Sequence, residues 1–166
     1  FTFFCYIYKY GTKRRLKYLQ EIAKKLNIDQ PKGESGIPSA QAQKVWLFPY
    51  KYERTNNEVS RLWNLFNKEL KNKITDHDFA DALQIRSTGK TKLTEALFYI
   101  NPEKYLPING PTKPYIIEVL GINPKFNTCT EYLEILAKIK EKIDIPFYEL
   151  SYEAWKWNDE RKKVNY

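Results

Sequence analysis

The sequence predicts a mainly α fold, a compact bundle of about six helices with at most a small β element. Apolar residues recur at helical spacing in several segments, capping signals precede two of them, and alternating strand patterns are scarce. The 166 residues fit a single helical domain, residues 1–166, large enough to bury its own core without disulfide support. Because the chain begins at Phe1 and contains no Met, we expect it to be part of a larger multidomain protein.

The first clear helix begins at Thr12, where apolar and cationic residues separate onto different faces. The segment before it, Phe1 to Tyr8, is consistent with a strand or a buried helix. The loop from Asp29 to Ala40 follows, and its Gly36-Ile37-Pro38 turn is predicted to present Ser39 and Gln41, either as a functional loop or as a surface crossover. The apolar stripe of the helix that begins at Thr12 contains Leu16, Leu19, Ile22, Ala23 and Leu26.

A short apolar run from Val45 to Phe48 predicts a small strand or a docked extended segment. The next helix opens at a capping-box pattern, Thr55 to Glu58, and a shorter helix starts near Thr75. The inward residues of the first helix are predicted to be Val59, Leu62, Trp63, Phe66 and Leu70, and those of the second Phe79, Ala82 and Leu83. Trp63 is therefore predicted to be core.

The stretch from Leu93 to Gly121 is predicted to organise the fold. Its first helix ends at Asn101-Pro102, because proline disfavours helical backbone in the residue before it. After an extended corner, Thr112 is predicted to cap a helix from Pro114 to Leu120 that Gly121 closes.

Two helices complete the chain. Thr128 and Glu131 form a second capping-box pattern ahead of a stripe that includes Ile135 and Ile139. Ser151 is predicted to cap the last helix, with Trp155 facing inward.

The positive charge of the chain is unevenly distributed. The formal net charge is +8. Residues 1–28 contain seven Lys and Arg against Glu21 alone, which is 7 − 1 = +6, so the other 138 residues carry only +2. Such clustering favours a polyanion partner, with a solvated Lys-rich surface as the equal alternative.

Three groups of residues are candidate DNA contacts. Lys13, Arg14, Arg15 and Lys17 are candidate phosphate contacts on the first helix. Arg86, Lys90 and Lys92 form a second basic cluster beside a helix N-terminus. Trp46, Tyr50 and Tyr52 interleave with basic residues, a pattern typical of base stacking and equally of an aromatic rim around a core. The same three aromatics are candidates for a cage around a modified cytosine.

The sequence argues against several kinds of chemistry. Gly89-Lys90-Thr91 resembles the end of a P-loop, but Gln84 stands where that motif needs glycine. His77 is the only histidine, so a hydrolytic triad is improbable, and no nucleophile motif is present. The acidic residues around His77 are better explained as helix capping than as metal ligands, so no catalytic residue, metal or cofactor is predicted for this chain.

The cysteine pattern and the hydropathy bear on location. Cys5 and Cys129 match no metal spacing and no disulfide framework, which favours a cytoplasmic protein. No apolar run approaches the roughly 18 residues of a membrane span.

Three segments carry a resemblance to a known family. They read LFYINPEKYLPIN from Leu97 to Asn109, GIPS followed by WLFPY between Gly36 and Tyr50, and FYELSYEAW from Phe147 to Trp155. The region that they bound, residues 36–155, is most of the chain. These segments resemble the region upstream of the AAA+ motor in McrB-like proteins, the GTPase subunits of modification-dependent restriction systems.

The resemblance implies a non-enzymatic accessory domain that takes part in DNA recognition for defence, or couples recognition of modified DNA, such as 5-methylcytosine, to a GTP-driven motor. GTP and Mg²⁺ would bind only to the motor of the parent protein. A nuclease subunit is the implied partner, and a homo-oligomer would form through that motor. The alternative is a structural spacer or oligomerisation module in the same protein.

Overall fold

The structure is a computed structural model that describes residues 6–34 and 46–164, the side chain of Val164 excepted. The chain forms two compact units, Phe1–Val45 and Trp46–Tyr166. The described residues contain helices and no strand, so the predicted mainly α class is confirmed. The prediction of one domain across residues 1–166 stays a prediction. Some predicted features lie outside the described residues: the part of the β element at Val45, the Gly36 turn with Ser39 and Gln41, and Cys5.

Seven α-helices and one short 3-10 helix lie within the described ranges. Helix α1 belongs to the first unit and α2 to α7 belong to the second. In the second unit α3 packs against α2, α4 and α6, and α5 packs against α7. The helices are α1 Thr12–Leu26, α2 Glu58–Glu69, α3 Asp76–Leu83, α4 Lys90–Ile100, α5 Thr112–Glu118, α6 Cys129–Lys142 and α7 Phe147–Val164, and the 3-10 helix is Lys51–Glu53.

Helix α1 begins at Thr12, as predicted, and ends where Asn27 adopts a left-handed conformation with φ 55°. Ala23 is buried within its unit, and Leu16 is partly buried. Leu26 is 64% exposed, so its predicted place in the buried stripe is wrong. Leu26 is the last residue of α1 before Asn27 turns the chain. At this end of the helix the side chain faces solvent, and Ala23 is the buried residue of α1.

The stretch from Leu93 to Gly121 supplies much of the core of the second unit. Leu97, Tyr105 and Leu106 are each 1% exposed or less. The Tyr132 ring stacks on Tyr105 at 6.1 Å, and its hydroxyl donates to the Leu106 carbonyl at 2.7 Å. This predicted organising role is therefore confirmed at the level of packing. Helix α4 also ends at Ile100, directly before Asn101-Pro102.

Reciprocal hydrogen bonds fix the corner between α4 and α5. The Asn109 N–H donates to the Thr112 hydroxyl at 3.0 Å, and the Thr112 N–H donates to the Asn109 side-chain oxygen at 3.2 Å. The Asn109 amide also donates to Glu95 at 2.9 Å. Helix α5 consequently begins at Thr112, two residues before the predicted start, and Thr112 is helical instead of preceding the helix. Gly121 follows α5 with φ 64°, which matches its predicted closing role.

The face that α2 presents to the core only partly matches the predicted one, in which Leu62 packs against the core as expected. Leu65 and Glu69 are buried, whereas Trp63 is 58% exposed and Leu70 is 61% exposed. The prediction that Trp63 belongs to the core is wrong. The helix begins at Glu58 itself, so this residue is not the third residue of a capping box; its side chain accepts from the Thr55 and Asn56 N–H groups at 3.1 Å.

A buried carboxylate accounts for the orientation of α2. Glu69 accepts from the Lys104 ammonium at 3.1 and 3.3 Å and from the Tyr105 hydroxyl. Lys104 also donates to Asn72 at 2.9 Å. Burial and the Glu69 carboxylate raise the pKa of Tyr105 well above its ordinary value, so the phenol stays protonated and donates. A buried acid is tolerated here because both oxygens have partners.

Helix α7 begins at Phe147, so the predicted cap at Ser151 is wrong. The earlier start places Leu150 and Ala154 on the buried face. Trp155 is 51% exposed, which contradicts its predicted inward position. Trp157 packs instead, edge to face against Tyr115 at 5.7 Å, and this contact joins α7 to α5.

Capping boxes define the starts of two helices. The Thr75 and Thr128 hydroxyls accept from the N–H groups of Asp78 and Glu131, whose carboxylates accept from the backbone N–H groups of the two threonines. The capping box predicted at Thr128 is therefore confirmed. Among the described helices, none has both the length and the apolar character needed to cross a membrane.

Candidate nucleic-acid interface

Helix α1 presents most of its predicted DNA contacts to solvent. Lys13, Arg14 and Lys17 are exposed, and Arg15 is half-buried. The Nε atom of Arg15 is buried and makes no hydrogen bond among the described residues. Three of the four predicted phosphate contacts are therefore freely accessible on their own unit.

The described residues leave the charge of α1 uncompensated. The helix contains six Lys and Arg and one Glu, which is 6 − 1 = +5. Its first turn has no acidic residue, and no ion pair among the described residues involves the helix. Lys13 and Arg14 lie in that turn, where the helix dipole disfavours positive charge. Helix stability therefore does not explain their presence.

Aromatic rings surround the basic residues at the start of α1. The Arg14 guanidinium lies 4.3 Å from the Tyr10 ring centroid and 5.8 Å from that of Tyr18. The Lys9 ammonium lies 4.9 Å from the Tyr6 centroid. A hydrogen bond with Tyr18 raises the pKa of Arg14, whose guanidinium is charged at any physiological pH. Sequence reasoning missed these tyrosines, although tyrosine and basic residues interleave from Tyr6 to Tyr18.

In the second unit, main-chain contacts anchor the stretch from Trp46 to Arg54, here named the ladder segment, which includes the 3-10 helix Lys51–Glu53. The Lys92 ammonium donates to the Trp46 carbonyl at 2.8 Å, and the Thr88 hydroxyl donates to the Leu47 carbonyl. Arg54 Nε donates to the Pro49 carbonyl at 3.0 Å. The described part of the predicted β element, from Trp46 onward, is thus a docked extended segment, the second of the two predicted forms.

The three predicted stacking residues form one contiguous group, here named the aromatic ladder: Trp46, Tyr50 and Tyr52. Trp46 packs edge to face on Tyr50 with centroids 5.2 Å apart. Tyr50 and Tyr52 are parallel within 5°, with centroids 5.7 Å apart. Exposure rises along the ladder from 36% for Trp46 to 48% for Tyr50 and 83% for Tyr52.

Two residues of the second basic cluster, Arg86 and Lys92, contact the ladder segment. Lys92 binds the Trp46 carbonyl, and Arg86 pairs with Glu53 at 3.3 Å while its side chain remains 76% exposed. Lys90 instead donates to the Phe126 carbonyl and to Asn127 at 2.9 Å. Two of the three predicted basic residues therefore adjoin the ladder, and the third links the start of α4 to the loop before α6. Their role in binding DNA stays a prediction.

The acidic residues around His77 each have a structural partner. Asp76 accepts from the Thr130 N–H at 2.8 Å, and Asp78 accepts from the Thr75 N–H at 3.0 Å. Arg61 donates to both oxygens of Asp81 at 2.8 and 2.9 Å. Within residues 6–34 and 46–164 no group of three His, Cys, Asp or Glu side chains is arranged to hold a metal ion.

Cys129 is a buried free thiol at the start of α6. Burial raises its pKa to about 11, so the thiol stays protonated at neutral pH and is a poor nucleophile. This environment makes Cys129 a packing residue.

A search of curated proteins and a search of solved structures each found no significant similarity. The model of a family described as a domain of unknown function, DUF8425, matches residues 1–157. Because the match covers nearly the whole chain and includes both units, the protein belongs to the DUF8425 family.

Proposed function

We propose that this protein is a DNA-binding domain whose first helix contacts phosphates. The observation that carries the proposal is the net charge of α1, +5 with no ion pair among the described residues. A cationic helix that the described residues of its unit do not neutralise is suited to a polyanion, because Lys and Arg neutralise phosphates and release the condensed counterions into solution. Its first-turn cations, Lys13 and Arg14, oppose the helix dipole, which favours a role in binding over one in folding.

The resemblance to McrB-like proteins supports a more specific role within this proposal. The domain would be a non-enzymatic accessory module of a restriction protein, recognising modified or unmodified DNA and transmitting that recognition to a GTP-driven motor. The motor and a nuclease subunit would be its partners, and GTP and Mg²⁺ would bind to the motor. The segments that carry the resemblance include Leu97 to Asn109, which forms the core corner, and Trp46 to Tyr50, which forms part of the ladder segment.

Titration of a fluorescent duplex at several salt concentrations tests the proposal. Two duplexes are compared, one unmodified and one carrying 5-methylcytosine. Phosphate contacts predict that the logarithm of the binding constant falls linearly with the logarithm of salt concentration, with a slope of about 0.9 per contact. A preference for the methylated duplex supports recognition of the modification, and equal affinities contradict it. Absence of binding at low salt contradicts DNA binding altogether.

Lys13→Glu separates binding from folding. Glutamate in the first turn of α1 favours the helix dipole and forms an i,i+4 pair with Lys17, so we expect stability to rise by about 0.5 kcal/mol. The same change should weaken duplex binding and lower the salt slope by about one. Lys138→Glu is the matched control, because it makes the same charge change at an exposed position of α6. Equal loss of binding in both variants contradicts a contact by α1.

An exposed aromatic stripe favours a second candidate function, an oligomerisation module or spacer. Tyr148, Tyr152 and Trp155 follow each other at i, i+4 and i+7 on α7 and are 45%, 51% and 51% exposed. Tyr152 and Trp155 stack with centroids 5.9 Å apart. Sedimentation of the protein should then show self-association that Trp155→Lys abolishes. A monomer that binds DNA contradicts this second candidate.

A further inference from the structure

The aromatic ladder is held in place by its backbone, which leaves its rings available. Lys92 and Thr88 bind the carbonyls of Trp46 and Leu47, and Arg54 binds that of Pro49. None of these contacts uses a ring of the ladder. These main-chain contacts would remain if Tyr52, the most exposed of the three rings, were replaced.

The ladder presents a regular stacking surface to solvent. Tyr52 lies parallel to Tyr50 within 5° and is 83% exposed. Trp46 packs on Tyr50 edge to face, with ring centroids 5.2 Å apart. A flat ligand added to the free face of Tyr52 extends an existing parallel stack, and Trp46 fixes the orientation of the inner ring.

Basic side chains lie around this surface. Lys51 is exposed within the ladder segment, Arg86 is 76% exposed, and Lys92 binds the Trp46 carbonyl. Together with Arg54 these residues supply four positive charges. Glu53, which pairs with Arg86, supplies one negative charge. Such charge is complementary to a phosphate backbone, and stacking rings flanked by cations are typical of single-strand sites.

We propose that the aromatic ladder binds unpaired bases of single-stranded DNA, with the surrounding cations contacting the strand's phosphates. The proposal rests on the DNA-binding function proposed above and specifies which state of the DNA the second unit takes. In a duplex the faces of the bases are covered by neighbouring base pairs, so the exposed rings could not stack on them. An unpaired strand offers a free face at every base.

The test compares a fluorescent thymidine homopolymer of roughly 15 nucleotides, a length suited to a single-strand site, with the duplex that it forms with the deoxyadenosine homopolymer. The full chain is titrated at low salt into each fluorescent DNA, and the anisotropy of the DNA label gives both affinities. We expect Tyr52→Ala to weaken binding of the strand about tenfold and to change duplex binding less than about twofold. Tyr52→Trp should retain the affinity for the strand, because it keeps a stacking ring.

Tyr99→Ala is the matched control, since it removes a half-exposed tyrosine from α4 and lies outside the ladder. Circular dichroism confirms that each variant is folded, as expected for residues this exposed. The proposal is overturned if Tyr52→Ala binds the strand as well as the wild type does, or if Tyr99→Ala loses as much affinity as Tyr52→Ala. Tight duplex binding without affinity for the strand also overturns it while leaving the proposed DNA-binding function intact, and no binding to either probe overturns both.

Discussion

The buried carboxylate of Glu69 yields the sharpest prediction about the stability of the second unit. Glu69→Ala removes the partner of Tyr105, which is 1% exposed, and one partner of Lys104, whose side chain is 33% exposed. Leaving the buried phenol without an acceptor costs about 1–3 kcal/mol. The Lys104 ammonium keeps its hydrogen bond to Asn72 and gains contact with water. Loss of its ion pair with Glu69 therefore costs less stability, about 0.5–1 kcal/mol.

We therefore expect Glu69→Ala to lower the free energy of unfolding by about 3 kcal/mol, once the lost packing of the side chain is added. Tyr105→Phe removes a single hydrogen bond to a charged group and should cost about 1.5–2 kcal/mol. The measurement is urea denaturation followed by tryptophan fluorescence, analysed by linear extrapolation to water.

Glu134→Ala is the control, because Glu134 is an exposed acid on α6 and its removal should change stability by less than about 0.5 kcal/mol. A double-mutant cycle between Glu69→Ala and Tyr105→Phe should show that the two losses are not additive. If Glu69→Ala costs less than about 1 kcal/mol, or if the two losses simply add, the reasoning about this network is refuted.

Three further predictions concern single residues of the second unit. Gly121→Ala places a Cβ at φ 64° and should lower stability by about 1–2 kcal/mol in thermal unfolding; an unchanged melting temperature would contradict a left-handed turn there. Thr128→Ala removes the N-cap of α6 and should cost about 1 kcal/mol, which Thr128→Ser should largely restore. Burial raises the pKa of Asp78, but hydrogen bonds from Lys68 and Thr75 outweigh it and hold that pKa below the ordinary value of 3.8. Since a lowered folded-state pKa stabilises the protein above the unfolded value, stability should fall as pH drops below about 3.8, and Asp78→Asn should weaken this dependence in urea denaturation at each pH; an identical pH profile would count against it.

Part of the candidate site could be predicted from the sequence. The charge and accessibility of Lys13 and Lys17 follow from the amphipathic pattern of α1, and interleaved aromatic and basic residues identified Trp46, Tyr50 and Tyr52. The sequence could not show that Lys92 binds the Trp46 carbonyl, because these residues are 46 positions apart. Only the fold brings the two predicted groups together, and only the fold leaves the ladder rings exposed.

The amino-acid sequence by itself determined the helical class, the cap at Thr128 and the end of α4 before Pro102. Each depends on hydrogen bonds or steric contacts that reach three or four residues along the chain, so local residues specify them. The tertiary structure decided which face of a helix is buried, as Trp63 shows by its exposure. Glu69 turns inward because Lys104 and Tyr105, 35 and 36 residues later, satisfy its carboxylate, and no local pattern encodes a partner at that distance.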